Sequence, residues 1–107
     1  MVAMNEITEL SRRIAEAFDP DRIILFGSHA YGAPKEHSDV DLLVIMRFEG
    51  SGLRKSVEIL TRVSPTFPID LIARRPDDTE RRHGECDPLI REAFNRGKLL
   101  YERHAES

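Results

Sequence analysis

Apolar positions along the chain fall into three patterns. From Ile7 to Phe18 they recur at helical spacing, at Ile7, Leu10, Ile14, Ala17 and Phe18. Glu6, Glu9, Arg12, Arg13 and Glu16 lie mainly off that stripe. The pattern predicts a first helix, begun by Asn5 or Thr8, that covers a sheet and stops at Asp19-Pro20-Asp21. Two continuous apolar runs follow, Ile23 to Phe26 and Leu42 to Met46, and each reads as a buried strand. After the glycine-punctuated stretch from Arg47 to Gly52, Ser51 offers an N-cap to a second helix. That helix is expected to turn Leu53, Val57, Leu60 and Val63 inward and to close at Ser64-Pro65. Phe67 to Ala73 alternates, with Phe67, Ile69, Leu71 and Ala73 on one face and Asp70 and Ile72 on the other. Asp87-Pro88 is an N-cap followed by a first-turn proline. Leu89, Ile90, Ala93 and Phe94 continue a helix that Gly97 stops. Lys98 to Glu102 reads as a short last strand at the sheet edge. Helices and strands thus alternate around a small mixed sheet, an α/β (α+β) architecture.

The second strand is unusual at its head, where Asp39 and Asp41 precede the apolar run. Residues two apart on a strand point the same way, so the two acids share a face, roughly 6–7 Å apart at the backbone. Carboxylates that close raise each other's pKa unless a cation sits between them. Oxygen-only ligands point to Mg²⁺. The first strand ends in Gly27-Ser28. Glycine lets backbone approach a phosphate, serine adds a hydroxyl, and a short helix beginning there would aim free N–H groups at an anion. Taken alone, Gly27-Ser28 is an ordinary turn; with Asp39 and Asp41 downstream, the phosphate reading wins. Ser38 is placed to orient Asp39. Lys35, Glu36 and His37 read as a solvated loop. Asp70 is a third acid, in an apolar strand where an ionised group needs a metal or a basic partner such as Arg74 or Arg75.

Composition narrows the class. The chain has 107 residues, 40% hydrophobic and 33% charged, with a formal net charge of −3 and a pI near 5.8. That length suits one domain, residues 1–107. The charge balance gives no global attraction to nucleic acid. Cys86 is the single cysteine, so neither an internal disulfide nor a cysteine zinc site is expected. No apolar run reaches membrane-spanning length and no signal pattern opens the chain, so the cytoplasm is the expected compartment. Arg81, Arg82 and His83 read as a solvated charged surface.

Gly27-Ser28, ten intervening residues, and Asp39-Val40-Asp41, each beside an apolar strand, resemble the signature of the DNA polymerase β nucleotidyltransferase superfamily. The short length and the flanking Leu-Phe-Gly-Ser and Ser-Asp-Val-Asp-Leu-Leu-Val are similar to the minimal nucleotidyltransferase (MNT) group. Members of that group often serve as antitoxins to HEPN ribonuclease toxins. The resemblance implies the polymerase-β-like nucleotidyltransferase fold. It implies two Mg²⁺ ions on Asp39, Asp41 and Asp70, ATP as substrate, and Gly27 and Ser28 cradling the β and γ phosphates. It also implies AMP transfer to a tyrosine of a HEPN toxin, with assembly into homo- or hetero-oligomers left open. His29 and Tyr31 stand where many MNT sequences carry arginines. His29 can donate one hydrogen bond and Tyr31 can stack on a base; alternatively both pack beside the loop. Two other functions fit the same residues: a binding antitoxin that masks its toxin without catalysis, and nucleotidyl transfer to a small molecule such as an aminoglycoside.

Overall fold

The computed structural model describes residues 3–32, 39–78 and 88–103. In chain order these residues form α1 (Met4–Phe18), β1 (Arg22–Phe26), β2 (Val40–Ile45), α2 (Gly52–Val63), β3 (Ile69–Arg74), α3 (Pro88–Arg96) and β4 (Lys98–Glu102). The strands make one sheet in the order β3-β2-β1-β4. β2 runs parallel to β3, and β1 is antiparallel to both β2 and β4. The mixed sheet and the edge position of the last strand are as the sequence predicts.

Side chains alternate across the sheet and feed two cores. On one face Ile23, Leu25, Val40, Leu42, Val44, Leu71 and Ala73 pack against Ile7, Leu10 and Ile14 of α1 and Ile59 and Val63 of α2. On the other, Ile24, Phe26, Leu43 and Ile45 meet Ile90 and Ala93 of α3. β1 and β2 are therefore covered on both sides, which is why their sequences are continuous apolar runs instead of alternating ones.

Local chemistry shifts several boundaries. α1 starts at Met4, ahead of Asn5 and Thr8, because the Ala3 backbone N–H donates to Glu6 Oε2 at 3.2 Å and caps the earlier turn. Its buried positions include Ser11, whose hydroxyl donates to Thr8 O at 2.8 Å, while Ala17 is exposed. Asp19 ends the helix in the left-handed region (φ 44°), and its N–H donates to Ala15 O at 2.9 Å. β3 begins at Ile69, after Phe67-Pro68.

The larger correction is the inward face of α2. Ser51 caps it as expected, accepting from Arg54 N at 3.0 Å. Ser56, Ile59 and Val63 face the core, however, and Leu53 and Val57 are 77% and 54% exposed. Small residues bring the helix close to β3: a Cβ on Gly52 would lie 2.7 Å from Ala73 O. Ser56 Oγ donates to Gly52 O at 2.7 Å and accepts from Ala73 N at 3.0 Å. The helix thereby satisfies a backbone N–H on the free side of an edge strand. Leu53 and Val57 would hold it too far out to do so.

Asp87, expected to cap α3, lies outside the described residues, as do Lys35, Glu36, His37, Ser38, Arg81, Arg82, His83 and Cys86. No helix among the described residues is long and apolar enough to cross a membrane.

Candidate functional site

Strand register brings the predicted residues to one end of the sheet. Phe26 pairs with Asp41 across β1 and β2, and Asp41 pairs with Asp70 across β2 and β3. The end of β1 and the starts of β2 and β3 therefore meet. Gly27 leaves β1 there with φ +77°, a conformation glycine adopts without penalty. Its carbonyl accepts from Ala30 N at 3.0 Å and Tyr31 N at 3.3 Å. Residues 28–32 form turns, and among the described residues the short helix expected after Ser28 is not found.

The turn is pressed against the acids. A Cβ built on Gly27 would stand 2.2 Å from Asp41 Oδ2, so a side chain there would push that carboxylate aside. Asp41 is half-buried in β2. Asp39 is exposed immediately before the strand, and Asp70 is exposed as the second residue of β3. The exposure of Asp70 corrects one expectation. The acid does not sit buried within an apolar run, because β3 is an edge strand and this position is at its open end. Nor is Arg74 its partner: Arg74 Nη1 donates to Ala73 O at 3.1 Å, and among the described residues Asp70 makes no ion pair.

Burial pushes the Asp41 carboxyl above its usual range, and the Asp70 and Asp39 carboxylates push it further. His29 opposes the shift, and Glu92 of α3 adds to it. His29 and Glu92 thus stand close enough to feel Asp41. Among the described residues no three His, Cys, Asp or Glu side chains converge into a preformed ion cluster. The donor set nonetheless suits a hard divalent cation: Asp41 with Asp39 and Asp70 close enough to repel it, beside a glycine backbone.

Tyr31 packs against the core covered by α1 and α2, within reach of Arg96 and Glu92 of α3. The Arg96 guanidinium carbon lies 4.0 Å from its ring centroid, so the face that Arg96 covers is closed to a base. Burial first, then Glu92 beside it, pushes the Tyr31 phenol up. Glu92 and Arg96 carry no sequence signal for this role. They lie four apart on a helix, off its apolar stripe, and only the packing of α3 over the sheet brings them to the turn after β1.

A family model described as a nucleotidyltransferase domain matches residues 7–100. No curated protein matches the chain. Among solved structures, a Sulfolobus solfataricus protein described as a nucleotidyltransferase is similar at a TM-score of 0.65 and 18% identity, covering 92% of this chain and 79% of that one. A chain of the MntA–HpeT toxin–antitoxin is similar at 0.60 and 23% identity, over 97% of this chain and 76% of that one. A toxin–antitoxin crystallised with AMP-PNP is similar at 0.58 and 20% identity, over 94% and 76%. These likenesses show a shared fold.

Proposed function

The chain belongs to the nucleotidyltransferase domain family, and from that premise we propose that it is a Mg²⁺-dependent enzyme moving AMP from ATP to a tyrosine hydroxyl of a HEPN ribonuclease toxin, and so the toxin's antitoxin. The observation that carries the reading is the turn at Gly27, seated on the Asp41 carboxylate beside Asp39 and Asp70. The fold likeness to toxin–antitoxin chains, one crystallised with AMP-PNP, supports the choice of partner and nucleotide. Residues 1–107 act as one minimal domain, working in the cytoplasm where ATP is present.

Each residue has a distinct task. Gly27 and Ser28 receive the β and γ phosphates, with the serine hydroxyl donating. Asp39, Asp41 and Asp70 would hold two Mg²⁺ ions, which when bound would offset the charge of the triphosphate and of the leaving pyrophosphate. The acceptor oxygen bonds to the α-phosphorus, and the bond from that phosphorus to the bridging oxygen breaks. Pyrophosphate leaves with the electron pair. Asp70, at the open end of β3, takes the hydroxyl proton. The added negative charge on the toxin then repels RNA.

The test pairs a variant with a chelator. Asp39→Asn combined with Asp41→Asn is expected to abolish transfer of labelled AMP to the toxin while the chain still unfolds cooperatively. EDTA should stop the wild type. Full transfer in the variant or in EDTA would overturn the metal assignment. Equal toxin neutralisation with and without ATP would make the protein a non-catalytic binder.

A further inference from the structure

Arginine is the side chain best suited to the outer phosphates of a triphosphate, because its planar fork grips phosphate oxygens in pairs. Residues 27–32, the turn proposed to receive the phosphates, contain no lysine or arginine. The fold brings one from elsewhere. Arg96, in the last turn of α3, lies with its guanidinium carbon 4.0 Å from the ring centroid of Tyr31, a residue of that turn. Tyr31 is in turn tied to Gly27, whose carbonyl accepts its N–H at 3.3 Å.

The arrangement is that of a held cation with its donors open. A guanidinium over an aromatic face keeps its in-plane N–H groups directed outward. Among the described residues no carboxylate forms an ion pair with Arg96, and the side chain is exposed. Glu92, one turn earlier on α3, stands by Tyr31 and Asp41 without pairing with Arg96. Resting on the nucleotidyltransferase reading above, we propose that Arg96, positioned by the Tyr31 ring, binds the outer phosphates of the nucleotide. Arg96 touches substrate in this assignment, and Tyr31 acts through it as a positioning residue.

Calorimetric titration of the full chain with AMP-PNP and with AMP, both in Mg²⁺, tests this without using turnover. Arg96→Ala is expected to weaken AMP-PNP binding about 10- to 100-fold, the scale of one or two hydrogen bonds to a charged group. AMP, which lacks the outer phosphates, should bind the variant and the wild type alike. Arg96→Lys should recover only part of the loss, since an ammonium keeps the charge but not the fork. Tyr31→Leu, which removes the ring, should lose affinity for AMP-PNP and not for AMP. AMP-PNP binding by Arg96→Ala equal to that of the wild type overturns the assignment of Arg96 and leaves the nucleotidyltransferase reading standing. Equal losses for AMP and AMP-PNP also overturn it, since the effect would then not lie at the outer phosphates. A wild type that binds neither nucleotide overturns both readings.

Discussion

A single hydrogen atom at Gly27 decides whether the acids and the turn can coexist. The Cβ of Gly27→Ala would meet Asp41 Oδ2 at 2.2 Å, in a backbone conformation that costs an L-residue roughly 1–2 kcal/mol by itself. Urea unfolding should show a loss of at least that size, and AMP transfer should collapse with it; a variant with wild-type stability and transfer would mean that the turn is not seated on the acid. Asp41 itself gives a signed pH effect. Its pKa in the folded chain is raised above the ordinary 3.8 by burial, Asp70 and Asp39. Between the unfolded and folded values the native state holds more protons, so stability falls as pH rises through that window and stays lowered at neutral pH. Asp41→Asn is therefore expected to raise the melting temperature at neutral pH in metal-free buffer and to flatten the acid side of the profile. A variant that melts below the wild type under those conditions would contradict this. At this scale Gly27, Asp39 and Asp41 were legible in the sequence because they lie at or beside the ends of two paired strands. Glu92 and Arg96 were not, because helix packing, not spacing, carries them to the site.

Between elements, hydrophobic periodicity succeeded where burial was driven by apolar area and failed where it was driven by close approach. β1 and β2 were readable as unbroken apolar runs because both of their faces are covered. On α2, Leu53 and Val57 suggested the wrong face, since the contact with β3 uses Gly52 and a hydroxyl. Ser56→Ala should cost about 1–3 kcal/mol, the penalty for leaving the buried Ala73 N–H without an acceptor. Leu53→Ala and Val57→Ala should each stay within about 0.5 kcal/mol, as substitutions at exposed positions do. Thermal or denaturant melts of the three variants check the order, and a reversed order would restore the face that periodicity suggests. Asp70 teaches a related point. An acid inside an apolar sequence run looked costly, yet the end of an edge strand exposes it to water.

For the molecule as a whole, the sheet order sets which parts are most protected. β1 lies between β2 and β4, and Arg22 faces Glu102 across the β1–β4 pair, from the far end of the described chain. Native-state hydrogen exchange should therefore find the β1 and β2 amides slowest. Those of β4, an edge strand with Lys98, Leu99 and Glu102 exposed, should exchange sooner. Uniform protection across all four strands would contradict that order. The same layout has a consequence in time. At roughly 5–20 residues per second, a ribosome takes about 3–10 s to travel from the end of β2 to the start of β4. Throughout that interval β1 has one edge bare, and that edge carries Ile23, Ile24, Leu25 and Phe26. A nascent chain in this state is a ready target for a chaperone or for pairing with another unfinished copy.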